Sequence, residues 1–274
     1  MIAMADAAAK ESNMTRRPDS KTLSQQRYTQ YADGYVTSET HARGSDLDRL
    51  LAIAEPQSHW CMLDVATGGG HTALKFAPHV GHVIASDLTP RMLEKAEEFI
   101  VKERGAGNVS FRQADAENLP FEDAQFDLVT CRIAPHHFPN AQAFVRECAR
   151  VLKQGGLLLL QDQLLPDDQE AARFVDDFER LRDPSHHRAF NTAEWRAMFA
   201  GAGIALEHSE EYIKRHDFLD WARRQGNDEE TIAELIRMLR EAAPIARDWM
   251  DPRHWGRESA TFVNRHILMR GRAN

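Results

Sequence analysis

The chain has 274 residues, 42% hydrophobic and 28% charged, a composition suited to one sizeable globular core with an accessory region. A formal net charge of -8 gives no general attraction to nucleic acid, and no apolar run is long enough to span a bilayer. Cys61, Cys131 and Cys148 are odd in number and lack metal-ligand spacing, so reduced thiols and no metal site are expected.

The N-terminus has no apolar core of the signal-peptide kind, which predicts a cytoplasmic protein. Residues 1–22 are rich in Ala, Ser, Lys and Arg without periodicity and read as a disordered tail. Residues 23–58 read as a helical N-terminal lid: a short helix near Gln26–Ala32, then a better one from Ser45 to Ala54, with Ser45 as N-cap. Tyr28, Tyr31 and Tyr35 of this segment either cover a ligand pocket or pack on the sheet.

From residue 59 to 165 strands and helices alternate. Trp60 to Val65 is a buried strand, followed by Gly68, Gly69 and Gly70 and a helix from Thr72. His82–Asp87 is the second strand and Pro90–Arg104 a helix with Met92, Leu93, Ala96, Phe99 and Ile100 on one stripe. Asn108–Asp115 and Phe126–Arg132 are the third and fourth strands. Asn140–Leu152 is a helix closed by Gly155 and Gly156, and Gly156–Asp162 a fifth strand, apolar as a central parallel strand is. This alternation predicts an α/β fold, a doubly wound, mostly parallel Rossmann-like sheet. Residues 166–274 are read as inserted helices and closing strands of the same domain: helices over Asp167–Leu181, Thr192–Ala200 and Asp228–Ala243, and strands over Ile204–Tyr212 and Thr261–Arg270.

In such a sheet ligands bind outside the carboxyl ends of the strands, where Asp64, Asp87, Asp115 and Arg132 fall. The glycine turn brings bare backbone and helix N–H groups to a ligand. Asp64 beside it suits a positively charged ligand, which favours S-adenosylmethionine over a pyrophosphate. Gly68 to Ala73 also fits G-x-G-x-x-[GA], so an NAD(P)-dependent oxidoreductase is the alternative, and a catalytically silent S-adenosylmethionine-binding protein another.

Together, Leu63-Asp64-Val65-Ala66-Thr67-Gly68-Gly69-Gly70, Asp87, Asp115, Phe126-Asp127-Leu128-Val129 and Val151-Leu152-Lys153-Gln154-Gly155-Gly156 resemble the class I S-adenosylmethionine-dependent methyltransferases. The resemblance is nearest to the UbiE-like (ubiquinone/menaquinone methyltransferase-related) small-molecule branch and covers roughly residues 60–165. Ala66 stands where that pattern has glycine, a methyl that negative φ accommodates. The resemblance implies a seven-stranded sheet, the donor S-adenosylmethionine and the product S-adenosylhomocysteine. It implies that Gly68, Gly70 and Ala66 pass the methionine part, that Asp64 orients the ammonium and that Asp87 forks to the ribose hydroxyls. Leu88 and Met92 would flank the adenine, Asp115 and the Ala116 N–H would meet its edge, and Arg132 and Ile133 would line the donor near the methyl.

The acceptor is expected to be a small molecule, methylated on C, O, N or S and possessing an aromatic or quinone-like character, with no nucleic-acid partner. The protein is expected as monomer or homodimer. His136 and His137, in the turn after the fourth strand, are the candidate bases. His186, His187 and Arg188, after the fifth strand, form a second candidate cluster for the acceptor, with Tyr28, Tyr35 and His41 from the N-terminal side. Trp195 and Trp221 read as core first and as an aromatic pocket floor second.

Overall fold

The computed structural model describes residues 20–36 and 45–274, and within 31–36 it describes the backbone only. Tyr35's side chain, Tyr31's side chain and all of His41 therefore lie outside the described residues. Two helices, α1 (Ser20–Val36) and α2 (Ser45–Ala54), precede β1 (Cys61–Val65). Then come α3 (His71–Phe76), β2 (His82–Asp87), α4 (Pro90–Glu97), β3 (Val109–Gln113), β4 (Phe126–Arg132), α5 (Ala141–Val151) and β5 (Leu152–Gln163). The remainder is α6 (Gln169–Arg182), α7 (Thr192–Gly201), β6 (Ile204–Asp217), α8 (Phe218–Arg223), α9 (Glu229–Glu241), α10 (Pro244–Met250) and β7 (Thr261–Ala273).

The seven strands form one sheet in the order β3-β2-β1-β4-β5-β7-β6. β1 to β5 pair in parallel, and β7 enters antiparallel between β5 and β6. The strand order reverses beside β1: the chain runs outward to β2 and β3, then returns to β4 on β1's other side. That reversal opens a crevice at the carboxyl ends of β1 and β4.

Both faces of the sheet are covered, which is why β5 is apolar on both sides from Leu157 to Leu160. One face packs Phe144, Val145 and Cys148 of α5 with Trp195 and Phe199 of α7. The other packs Leu50 and Ile53 of α2, Phe76 of α3 and Ala96 of α4. A third cluster joins Phe178, Phe218, Trp221, Leu235 and Phe262. Trp195 and Trp221 are thus core residues, 0% and 3% exposed, not a pocket floor.

Several boundaries differ from the sequence reading. α1 begins at Ser20, inside the segment read as tail, where no apolar period announces it. α4 passes into a π-helical stretch over Glu98–Glu103 instead of continuing as one α-helix. The cap of α7 is Asn191, not Thr192, with Glu194 completing a reciprocal capping box. β5 starts at Leu152, earlier than the glycine pair suggested, and α8 and α10 are too short to show a period. Among the described residues no helix is long and apolar enough to cross a membrane, and no group of His, Cys, Asp or Glu is placed to hold a metal ion.

Candidate active site

The crevice over β1 and β4 is a cleft open to solvent. Its floor is the β1–α3 turn. Thr67 N donates to Ser86 O at 2.8 Å and Gly70 N to Thr67 O at 2.9 Å, which folds the turn tightly. Gly68 adopts φ +54 and faces the cleft, where an added Cβ would meet only Met92 Cε, at 3.7 Å. Gly70 does something else. It has φ +82, precedes α3, and an added Cβ would reach within 2.6 Å of Ile100 Cδ1. It is held glycine by helix packing and does not line the cleft. Ala66 has φ +53, so the expected negative φ is corrected: this alanine occupies a left-handed position.

Two carboxylates on adjacent strands face the turn. Asp64 is 1% exposed and accepts from the hydroxyls of Thr67 and Thr130, each at 2.6 Å. Burial pushes its carboxyl up to about 6, against the pull of the two threonines. Asp87 accepts from the Gly68 N–H at 3.0 Å and the Thr89 N–H at 2.9 Å. Burial raises it too, the backbone donors opposing. Each Asp87 oxygen keeps a lone pair for a further donor. Leu88, Met92, Asp115, Ala116, Arg132 and Ile133 complete the cleft wall. The cradle therefore offers acceptors to hydroxyl and ammonium groups, apolar side chains to a flat ring, and an open glycine to a close-lying chain. These are the needs of S-adenosylmethionine, and the residues fit it.

The lid helix closes the cleft from above. Lys21 Nζ lies 2.6 Å from Asp115 Oδ2 and 2.7 Å from Glu117 Oε2. Gln25 Nε2 donates to Leu88 O at 3.2 Å. Lys21 was invisible in the sequence, because a lysine in an aperiodic stretch carries no local signal. Ile133 has φ +53, unusual for a β-branched residue, and its N–H is held by Gln161 O at 2.7 Å. Backbone strain after β4 thus presents this residue to the cleft.

The two histidines after β4 separate in role. His137 lines the cleft: its Nε2 is 2.6 Å from the Tyr28 hydroxyl and its Nδ1 3.0 Å from Ser185 O. A carbonyl only accepts, so Nδ1 carries the hydrogen, Nε2 is bare, and the Tyr28 O–H donates to it. Burial, with the neighbouring His136 charge, pulls His137 down to about 3. His136 lies behind, off the cleft, with Nδ1 2.6 Å from Asp162 Oδ1. Burial would lower it, but the charge and hydrogen bond of Asp162 win and its proton affinity is raised.

His186, His187 and Arg188 do not line the cleft. His186 is buried, stacks on His136 at 5.2 Å and bonds Asp176 Oδ1 at 2.7 Å. The His187 and Arg188 N–H groups donate to His136 O, and the Arg188 guanidinium pairs with Glu194. The cluster buttresses the histidine turn from below.

Comparison with known proteins decides between the ligand classes. Residues 63–160 match the model of a methyltransferase domain family. The chain is 39% identical over 221 residues to the uncharacterized methyltransferase YcgJ of Bacillus subtilis, covering 81% of this chain and 87% of that one. The chain belongs to the class I S-adenosylmethionine-dependent methyltransferases. The ubiquinone/menaquinone biosynthesis C-methyltransferase UbiE of Pseudomonas putida is 36% identical over 156 residues, 56% of this chain and 61% of the relative. The crystal structure of a methyltransferase-like protein from Bacillus halodurans superposes with TM-score 0.80 at 40% identity, over 84% of this chain and 99% of that one. The methyltransferase is thus UbiE-like in sequence and shares its fold with the Bacillus structure, and the dinucleotide alternative falls away.

Proposed function

We propose that this methyltransferase transfers the methyl of S-adenosylmethionine to a protic atom of a small-molecule acceptor, with Tyr28 and His137 receiving the acceptor's proton. The observation that carries the reading is the Tyr28–His137 hydrogen bond at the edge of the donor cleft. When bound, S-adenosylmethionine supplies an electrophilic methyl on a positive sulfur. Asp87 would hold its ribose, Asp64 its ammonium, and Leu88, Met92, Asp115 and Ala116 its adenine. Gly68 and Ala66 would run along its methionine part, with Arg132 and Ile133 near the methyl.

The protein's main task is to hold the acceptor atom in line with that methyl, a positioning effect with effective molarities up to about 10⁵ M or more. The acceptor's proton becomes strongly acidic as its heteroatom gives up an electron pair. A base as weak as the buried His137 then suffices: the proton passes to the Tyr28 oxygen while the Tyr28 proton passes to His137 Nε2. Two imidazoles 4.1 Å apart do not both carry charge easily, and His136 with Asp162 holds its own, so His137 starts neutral.

Calorimetry with S-adenosylhomocysteine tests the donor site, and no binding by the folded protein would reject the reading. A labelled-methyl screen over phenols, thiols and amines tests turnover. Donor binding with no turnover on any of them would favour a silent S-adenosylmethionine-binding protein instead.

A further inference from the structure

The carboxylate of Asp183 does not line the cleft, yet it touches what holds both members of the Tyr28–His137 pair. Pro184 keeps Asp183 out of the helical region, at φ -129 and ψ 98, so α6 ends here and the chain bends back toward the histidine turn. Backbone bonds pin the bend: the Asp183 N–H donates to Glu179 O at 2.8 Å and the His186 N–H to Asp183 O at 2.9 Å. Asp183 is 4% exposed and Ser185 1%.

One oxygen, Oδ1, serves the His137 side. It accepts the Ser185 N–H at 3.0 Å and the Ser185 hydroxyl at 2.5 Å. That hydroxyl stands 3.4 Å from His137 Nδ1, and the Ser185 carbonyl 3.0 Å from it. A serine hydroxyl rotates to suit its surroundings, and a free one at this place can donate to a bare Nδ1. With its hydrogen directed to Asp183, it offers Nδ1 only a lone pair, as the carbonyl does. Both oxygens then require a hydrogen on Nδ1, which leaves Nε2 open to the Tyr28 O–H.

The same carboxylate serves the lid side. Arg27, the residue before Tyr28 on α1, has its Nε 3.2 Å from Asp183 Oδ1 and 3.0 Å from Gln225 Oε1. Its Nη2 donates to Gln225 O at 2.6 Å, and Gln225 Nε2 donates to Asp183 Oδ2 at 3.0 Å. Three side chains thus dock the lid helix on the end of α6 and on the turn after α8. A carboxylate this buried keeps its charge only when paired and hydrogen-bonded, and the Ser185, Arg27 and Gln225 donors meet that need. Burial would raise its carboxyl, but a proton on His137, the Ser185 hydroxyl, Arg27 and Arg182 favour the ionised form and hold it lower than usual.

We infer that Asp183 is a positioning residue for the methyl transfer: through Ser185 it holds His137 with Nε2 open, and through Arg27 it seats Tyr28 against that nitrogen. The inference rests on the proton-transfer reading for the reaction it serves, while its hold on His137 is visible in the resting protein.

The test compares Asp183→Ala and Asp183→Asn with the wild type in the full chain. The ring nitrogens of His137 are followed by long-range proton–nitrogen correlation NMR, assigned with His137→Gln, and turnover is measured on an acceptor found in the labelled-methyl screen. The wild type should show a single tautomer with the hydrogen on Nδ1. Asp183→Ala frees the Ser185 hydroxyl and should show mixed tautomers, with kcat down about 10²-fold, the lower end of what a proton-transfer group is worth. Its affinity for S-adenosylhomocysteine should stay within about twofold, because Asp183 lies off the cleft. Asp183→Asn keeps an acceptor for the Ser185 hydroxyl and loses the charge facing Arg27. It should keep the single tautomer, with kcat down about tenfold, the scale of one charged hydrogen bond. Should Asp183→Ala unfold, Asp183→Asn decides alone: that loss supports the role, and wild-type kcat overturns it. Mixed tautomers in the wild type, an unchanged tautomer in folded Asp183→Ala, or a kcat lost only in proportion to unfolded protein also overturn it. Wild-type turnover in Tyr28→Phe rejects the proton-transfer reading instead, and mixed tautomers in Asp183→Ala then keep Asp183 as the group that sets His137.

Discussion

Tyr28 and His137, 109 residues apart in the chain, are joined by a 2.6 Å hydrogen bond, with their rings edge-on at a centroid separation of 5.4 Å. The contact ties the lid helix to the turn after β4. It makes one polar device from a residue of the lid and a residue of the core. Tyr28→Phe removes the hydroxyl and keeps the ring. Turnover on any accepted substrate should fall by about 10² to 10⁴, the usual worth of a proton-transfer group. S-adenosylhomocysteine affinity should stay within about twofold, since the role proposed for the phenol is on the acceptor side. A variant with wild-type turnover would show that the phenol only latches the lid.

Asp87 is a different kind of residue. Its two oxygens fix the Gly68 and Thr89 N–H groups and keep acceptor capacity toward the cleft. Asp87→Ala should weaken S-adenosylhomocysteine binding by about 1.5–3 kcal/mol, the worth of hydrogen bonds to a charged group. Calorimetry at fixed pH reads the change, and an unchanged affinity would remove Asp87 from the donor site.

How far the sequence speaks follows from these two residues. Asp87 was legible because strand-ending acids follow from the period-two and period-3.6 patterns and from the alternation of β and α. The same logic gave β2 and β4 to the residue. Tyr28 was named but its partner was not, because α1 has almost no amphipathic signal and Gln25 and Tyr28 bond to segments distant in sequence. Lys21 was missed for the same reason. Asp46 reads in sequence as an acid favouring a helix start. Its burial against Arg132, 86 residues away, is a tertiary fact. The histidine turn after β5 misled in the other direction: polar residues in a Pro-containing break look solvated or ligand-binding, yet His186 is 4% exposed and structural.

Asp64 predicts a pH dependence of donor binding. Its carboxyl, lifted by burial to about 6, is largely ionised at pH 7.5 and largely protonated at pH 5. A docked ammonium favours the ionised form and draws the pKa down, so binding releases protons near pH 6. The sign follows: affinity for S-adenosylhomocysteine should fall as pH drops through 6, by up to about tenfold per unit where one proton is fully linked. Calorimetry in two buffers of different ionisation enthalpy at pH 6 measures the released proton directly. Asp64→Asn should abolish the release. Proton uptake, or no linkage in the wild type, would contradict an ammonium beside Asp64.

Ala66 and Gly68 predict opposite stability changes from neighbouring positions of one turn. Both backbones are left-handed, φ +53 and +54. Left-handed geometry costs an alanine about 1–2 kcal/mol, while glycine adopts it freely but loses about 0.5–1 kcal/mol more chain entropy on folding. Ala66→Gly should therefore raise stability by roughly 0.5–1 kcal/mol. Gly68→Ala should lower it by a similar amount through conformation alone, because its Cβ would meet nothing closer than Met92 Cε at 3.7 Å. Urea midpoints at unchanged slope measure both. The pair also separates strain from function. A methyl at residue 68 enters the cleft and should weaken S-adenosylhomocysteine binding, whereas removing the methyl at residue 66 relaxes the turn and should leave binding equal or tighter. If Ala66→Gly proves destabilising, the Ala66 methyl packs against the turn more favourably than its backbone geometry is strained, and the left-handed alanine is there for contact.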